Sequence, residues 1–268
     1  MDLTVIVLTC NEERNIRQCL ESALPLGAQI LVLDEHSTDG TCSIARAMGA
    51  RVIDVPAGVK GFGPKRRYAV SKSSTDLVLH LDADERLTPE LIAELKSILP
   101  SLERDSVVAI PRLTYLFGTP IRHCGWYPDR KRRLYSRSHT DFDEKLVHED
   151  VPLPEGSRVV TLTHPLLHYS YPRLEDFWRK QGSYPVLWGR DRASRGKRCM
   201  LVSIPFRALF FFIKTYVIRM GFLDGRAGLW LSIANMGYEA SKYLSLYEAG
   251  REIDAKKRGQ DEGEALRQ

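Results

Sequence analysis

The sequence predicts an α/β fold: a mostly parallel, mixed sheet flanked by helices, continued by a helical carboxy-terminal segment. Three observations predict it. Strand-like apolar runs and helical stretches alternate four times in the first hundred of the 268 residues, the pattern of a parallel sheet with helices on both faces. After residue 105 the alternation stops and extended segments follow one another. From residue 204 the chain turns aromatic and apolar, with basic residues interspersed.

The elements are read in order. "LTVIVLT" (3–9) is a short apolar run rich in β-formers, hence a buried strand. In "NEERNIRQCLESAL" (11–24), Ile16, Cys19, Leu20, Ala23 and Leu24 recur at helical spacing, with Asn11 as N-cap and two glutamates in the electropositive first turn. "QILVLD" (29–34) is a second strand, "STDGT" (37–41) a turn, and Ile44, Ala45 and Met48 form the face of a second helix. "RVIDV" (51–55) is a third strand. A loop with Gly58, Gly61 and Gly63 leads to a helix over 64–73 that Pro64 should open. "DLVLHLD" (76–82) is a fourth strand, and "TPELIAELKSIL" (88–99) a helix capped by Thr88 with Pro89 in its first position. Further on, 106–118, 132–137 and 157–171 read as extended chain, 174–196 as helical, and 205–247 as helices broken near "GFLDGRAG". The stretch from Arg251 is charged and lacks aromatics, and reads as a flexible tail.

Ligands of parallel sheets bind beyond the carboxyl ends of the strands. Asn11-Glu12-Glu13, Asp34-Glu35 and Asp82, Asp84 and Glu85 all follow such ends, so one rim should collect carboxylates. Such a rim repels itself unless it holds a cation or accepts hydrogen bonds. Alternate residues of an extended chain face one way, so Asp82 and Asp84 can address one ligand, and hard oxygen donors suit Mg²⁺ or Mn²⁺ bound together with a phosphate. Their charge is then expected to be compensated only when substrate is bound.

Net charge is +5, concentrated in "PKRR" (64–67), "DRKRRLYSR" (129–137) and "RDRASRGKR" (190–198). Such clusters suit phosphates or anionic lipid, or are solvated faces. No nucleic-acid recognition motif is evident, and no G-x-G-x-x-G follows the first strand, which disfavours a dinucleotide oxidoreductase. The five cysteines lack metal-site spacing and read as free thiols of a reducing compartment. The opening "MDLTVIVLTCNEE" lacks a basic leader, so no secretory signal is expected.

"VIVLTCNEERNI", "ILVLDEHSTDGT" and "LHLDADERL" resemble the nucleotide-sugar half of family 2 glycosyltransferases, which have the Rossmann-like GT-A fold. "GFGPKRRYA", "RLTYLFGTPIRHCGWYPDRKRRLY", "LVHEDV", "LLHYSY" and "GFLDGRAG" resemble more closely the lipopolysaccharide core β-1,4-glucosyltransferases of the WaaE/KdtX type, over roughly residues 3–247. The resemblance implies a nucleotide-sugar-binding half over 1–105 and an acceptor-binding half of the same domain over 106–200; the composition beyond them reads as a helical segment over 201–250 and a flexible tail over 251–268. It implies inverting, metal-dependent transfer of a hexose, glucose from UDP-glucose, to a heptose of the lipopolysaccharide inner core. Thr9, Asn11 and Glu12 would line the uracil and ribose pocket, Asp34 would touch the uridine, Asp82 would hold ribose or metal, and Asp84 would bind the metal.

Lys65 and Arg66 could meet the diphosphate, or simply open an exposed helix. By the resemblance, which places a late histidine among the metal ligands, His168 would bind the metal; its other reading is a core histidine. Members of the family usually carry a small residue and glycine where this chain has Glu35-His36, and His36 reads as an exposed turn residue or a donor at the nucleotide. Inversion needs a base on the acceptor hydroxyl. The candidates are Asp129, Asp143, Glu149 and Asp150. The resemblance favours Glu149, with Asp129 as runner-up and His148 beside it. Trp126 and Tyr127 read as a sugar platform or as core aromatics.

The uncharged part of 204–218 is shorter than the roughly 20 apolar residues that span a bilayer. Phe, Trp and Tyr beside Lys and Arg instead suit a helix pair lying in a membrane interface, or a hairpin buried against the domain or a dimer partner. With a lipid-anchored saccharide as acceptor, the expected location is the cytoplasm, peripherally on the inner face of the cytoplasmic membrane. The alternatives are the same chemistry on another polysaccharide, a lipid carrier or a protein, or an inactive membrane-associated protein that binds sugar nucleotides. Oligomeric state is left open.

Overall fold

A computed structural model describes residues 2–143, 150–182 and 184–265. The strands are β1 (Leu3–Thr9), β2 (Gln29–Asp34), β3 (Arg51–Asp54), β4 (Leu77–Asp82), β5 (Glu85–Leu87), β6 (Ser106–Leu116), β7 (Thr119–Pro120), β8 (Asp129–Ser136), β9 (Arg158–Thr161) and β10 (Leu166–Tyr171). The helices are α1 (Glu13–Ala23), α2 (Thr41–Ala47), α3 (Phe62–Ser71), α4 (Pro89–Ile98), α5 (Leu174–Gln181), α6 (Tyr184–Ser194), α7 (Ser203–Ile213) and α8 (Gly225–Ala265). All strands belong to one sheet in the order β3-β2-β1-β4-β8-β6-β10-β5, with β7 and β9 both paired to β6. The first four in this order are parallel, whereas β8 is antiparallel to both β4 and β6. This is the mostly parallel mixed sheet that the sequence predicts.

The central parallel strands β1, β2 and β4 are largely apolar on both faces because helices cover both, whereas the edge strand β3 is charged and exposed at both ends. Leu3, Val5 and Val7 of β1 pack with Ile16, Cys19 and Leu20 of α1, Ala45 of α2 and Leu91 and Leu95 of α4. Ile6 packs on the opposite face, with Ala69 and Val70 of α3 and Tyr135 of β8. Thr88 caps α4 as expected, its hydroxyl accepting from the Leu91 N–H at 3.1 Å. Two helix starts differ from expectation. Helix α1 begins at Glu13, and Asn11 lies outside it with φ +55°. Helix α3 begins at Phe62, so Pro64 falls within its first turn instead of opening it. All five cysteines are free thiols.

The chain divides into two compact units, Met1–Thr114 with Pro128–Tyr169, and Tyr115–Tyr127 with Ser170–Gln268. The second has its own apolar centre, in which Leu116, Ile121, Cys124 and Phe177 meet Leu231 and Ala234 of α8. Asp224, just before α8 and with its side chain 4% exposed, accepts from the Arg122 and His123 N–H groups at 3.1 and 2.8 Å and pairs with His123 Nδ1 at 2.8 Å. Gly189 of α6 lies so close to α8 that a Cβ there would come within 2.6 Å of the Leu246 nitrogen. The break near "GFLDGRAG" is present: α7 runs on through a π-helical turn at Lys214–Ile218, and a 3-10 turn at Gly221–Asp224 precedes α8. Among the described residues, no helix is long and apolar enough to cross a membrane.

Candidate active site

The carboxyl ends of β1 and β2 are laced together by side chains. Parallel register sets Thr9 beside Asp34, and the Thr9 hydroxyl donates to Asp34 Oδ1 at 2.8 Å. Asp34, 1% exposed, also accepts from the Ser37 N–H at 2.7 Å and the Ser37 hydroxyl at 2.6 Å. Burial pushes this carboxyl upward, but the hydrogen bonds from Ser37 and Thr9 outweigh it and hold Asp34 below the usual aspartate value. The Asn11 N–H donates to Ser37 Oγ at 2.8 Å, and Asn11 Oδ1 accepts from the Thr38 N–H at 2.9 Å. The Glu12 N–H donates to Thr41 Oγ1 at 2.8 Å, while its carboxylate accepts from Asn15. Asn11 thus bridges two loops and does not cap α1.

His36 has φ +52°. In this left-handed region glycine is unstrained and other side chains rarely sit, which gives a physical reason for a glycine there in the family pattern. Glu35 pairs with Lys65 Nζ at 2.5 Å, so Lys65 bridges α3 to the end of β2.

The β4–β5 turn is the most heavily charged part of the rim, and its charge is compensated internally. Arg66 Nη2 meets Asp82 Oδ1 at 2.6 Å, and Arg133 Nη2 meets Asp82 Oδ2 at 2.7 Å. The expectation that Asp82 is neutralised only by bound substrate is therefore corrected. Burial pushes Asp82 upward, but the two guanidinium groups hold it well below the usual carboxylate range. Arg66 is itself buried, stacked over the Phe142 ring at 5.0 Å, so it is not an exposed helix start.

Glu85, fully buried, accepts from Arg133 at 2.9 Å through Oε1, with Arg112 at 3.5 Å on the same oxygen. Its Oε2 accepts from the Asp82 N–H at 2.8 Å. Its cationic partners are thus Arg133 and Arg112. Arg86 instead donates to the Ala83 and Glu85 carbonyls at 2.8 Å and to Asn15 and Gln18 on α1, fastening the turn from below.

Antiparallel pairing of β5 with β10 sets His168 opposite Glu85. The Tyr169 N–H donates to the Asp84 carbonyl at 2.8 Å, and His168 Nε2 lies 3.4 Å from Asp84 Oδ2. The Thr114 hydroxyl is 3.3 Å from His168 Nδ1 and holds the ring with Nε2 toward Asp84, as a hydrogen bond to the far ring nitrogen orients a ligating histidine. This pair fits a hard divalent ion. Neighbouring ligands of an octahedral ion with bonds of about 2.1 Å stand roughly 3 Å apart. Among the described residues, no group of three or more His, Cys, Asp or Glu that could hold a metal occurs. Asp82 fits less well, since both oxygens face arginines.

Thr9, Asn11, Glu12, Asp34, Lys65, Arg66, Asp82, Asp84 and His168 all fall in the first unit. Glu149, with His148, lies outside the described residues. Asp129 is held by Arg112 at 2.6 Å and Lys131 at 3.1 Å. Burial raises its pKa, these cations lower it by more, and the net shift is downward, which makes it a weak base. Asp150 pairs with Arg132, and the Asp143 carboxylate accepts from the Asp150 N–H at 3.3 Å. Trp126 packs against the Tyr171 ring, centroids 5.8 Å apart, beside the second unit's apolar centre. Sequence reasoning missed Ser37 and Arg133. The serine was legible as the first residue of "STDGT". Arg133 was hidden in a basic run.

Comparison with known proteins bears on this site. The family model described as Glycosyl transferase family 2 matches residues 4–152. A Rickettsia bellii protein named an uncharacterized glycosyltransferase is 26% identical over 91% of this chain and 84% of its own length. The lipopolysaccharide core biosynthesis glycosyltransferase LpsC of Rhizobium meliloti is 26% identical over 86% of this chain and 83% of its own. A solved structure of glucosyl-3-phosphoglycerate synthase from Mycobacterium tuberculosis, with Mn²⁺, uridine diphosphate and glucosyl-3-phosphoglycerate, is 28% identical over 42% of this chain and 43% of that chain, with a TM-score of 0.35. On the family match, over more than half its length, the chain belongs to glycosyl transferase family 2 and is a glycosyltransferase.

Proposed function

We propose that the enzyme transfers glucose from UDP-glucose, with inversion and with a divalent metal, to a heptose of the lipopolysaccharide inner core. The observation that carries this reading is the single rim formed by the carboxyl ends of β1, β2 and β4, with Asp34, Asp82 and Asp84 on it. Thr9, Asn11, Glu12 and Asp34 line the uridine. Asp82, kept ionised by Arg66 and Arg133, accepts from the ribose hydroxyls. Lys65 meets the diphosphate, and Arg66 positions Asp82 from behind. Asp84 and His168 hold Mg²⁺ or Mn²⁺. When bound, such an ion offsets the charge that grows on the departing diphosphate. Glu149 is assigned as the base by the family resemblance alone.

The acceptor reading is supported by the resemblance and by the name of the Rhizobium relative. It puts the enzyme in the cytoplasm, at the inner face of the cytoplasmic membrane. The test is a screen of nucleotide sugars for metal-dependent nucleotide release, with and without heptosylated core acceptor. UDP-glucose should be turned over fastest, with release strongly raised by the acceptor and abolished by chelation. Glu149→Gln should lower turnover by about two orders of magnitude or more. Failure of every nucleotide sugar to bind or turn over overturns the reading.

A further inference from the structure

Helix α7 is amphipathic in the inverted sense. Phe206, Leu209, Phe210, Ile213 and Val217 recur at three- and four-residue spacing, so they form one stripe. All five are exposed, Phe206 at 69% and Phe210 at 60%. The opposite side, Ile204, Ala208 and Thr215, is buried. The π-helical turn at Lys214–Ile218 widens the end of the stripe, since Val217 and the next residue, Ile218, both point to solvent, 54% and 63% exposed. A contiguous apolar surface of this kind on a folded chain marks a contact site.

The charge around the stripe says what kind of partner fits. Arg207, Lys214 and Arg219 each directly follow an outward apolar residue. Arg207 leans over the Tyr243 ring at 4.6 Å and Lys214 over the Phe211 ring at 5.8 Å. Among the described residues none of the three is paired with a carboxylate, and there is no Asp or Glu between Arg192 and Leu223. Apolar side chains flanked by unneutralised cations match the acyl–headgroup boundary of an anionic bilayer. A second copy of the chain would bring the same cations against themselves. With no helix able to cross a membrane among the described residues, the fitting arrangement is a helix lying in the plane.

We propose that α7 and its π-helical extension form an in-plane docking face for anionic phospholipid, with Phe206, Leu209, Phe210, Ile213 and Val217 inserted and Arg207, Lys214 and Arg219 at the phosphates. The proposal deepens the reading of a lipid-anchored acceptor and rests on it for its purpose, but its test does not.

The full chain is sedimented with vesicles of equal parts phosphatidylglycerol and phosphatidylcholine, and with phosphatidylcholine alone. It should pellet with the anionic vesicles at low salt, and about tenfold less at high salt or without phosphatidylglycerol. The double variant Phe206→Ser/Phe210→Ser should lower partitioning about tenfold or more, while its circular dichroism, melting temperature and rate of UDP release from free donor match the parent. Lys214→Glu should weaken binding to anionic vesicles and leave the weak binding to neutral ones unchanged. Absence of pelleting at low salt overturns the proposal. So does pelleting that the double variant leaves unchanged, or a dimer in analytical ultracentrifugation that the double variant dissociates without any vesicle binding by the parent. Vesicle binding without nucleotide-sugar turnover would sink only the functional reading.

Discussion

At the scale of single residues, the loops after β1 and β2 are held together by side chains that accept several hydrogen bonds each. Asp34 takes three short bonds, from Thr9 Oγ1, Ser37 N and Ser37 Oγ. An asparagine keeps only one acceptor oxygen, so an NH₂ would face either the Ser37 N–H or the two hydroxyls that donate to Oδ1, and at least one of these bonds would be lost or reversed. Asp34→Asn is therefore expected to cost about 1–3 kcal/mol of stability at neutral pH. The sign of its pH dependence follows from the depressed pKa. The unfolded chain takes up the proton first as pH falls, so the stabilisation is whole above the usual aspartate range and is lost as pH drops through the lower folded value. Urea midpoints of parent and variant should lie furthest apart near neutrality and converge below about pH 4. A constant gap across that range would show that the carboxylate's charge is not what stabilises the loops.

At the scale of elements, a chain of ion pairs runs from Arg66 on α3 to Asp82 on β4, Arg133 on β8, Glu85 on β5, Arg112 on β6 and back to Asp129 on β8. Its middle is buried: Glu85 is fully covered and Arg133 nearly so. Removing Glu85 leaves a buried excess of positive charge, with Arg133 sharing Asp82 with Arg66 and Arg112 keeping only Asp129 of these carboxylates, whereas removing Arg133 with it takes one of those cations away. Glu85→Leu should cost about 3–5 kcal/mol by chemical denaturation, and adding Arg133→Met should restore part of it. Strictly additive losses would mean that the two residues act independently. Little of this network was legible in the sequence. Its members come from five elements, and nothing local in "DRKRRLYSR" says which cation turns inward. The central parallel strands β1, β2 and β4 were legible because each is largely buried on both faces and reads as a mostly apolar run. The three-residue β5 was not, because it exists only through its pairing with β10, which starts nearly eighty residues later. That pairing also sets His168 beside Asp84, so the histidine could be named from the resemblance but its partner distance could not.

At the scale of the whole molecule, the described residues proposed to meet the donor all come from one of two compact units, and each unit has an apolar centre of its own. The alternating pattern of the first hundred residues announced the first unit. The second was legible only as apolar and helical, because its outward stripe on α7 has the same spacing as a core-facing one, and periodicity alone does not say which side is buried. The division has a thermodynamic consequence. A ligand that binds only the native state stabilises it by about 2.7 kcal/mol at a hundred times its dissociation constant, and local openings that dismantle its site become rarer in proportion. Uridine diphosphate with Mn²⁺ should therefore slow amide exchange in β1, β2, β4 and β5, which carry the laced loops and the Asp82–Glu85 turn, by about a hundredfold for openings that abolish binding. Amides of α6 and α8 belong to the other centre, around Gly189 and Leu246, and should exchange at the unliganded rate wherever they open without the first unit. Hydrogen exchange read by mass spectrometry, with and without nucleotide and metal, resolves the two sets. Protection confined to α6 and α8 would move the donor site out of the β1–β2–β4 rim, and equal protection throughout would mean that the two units open as one.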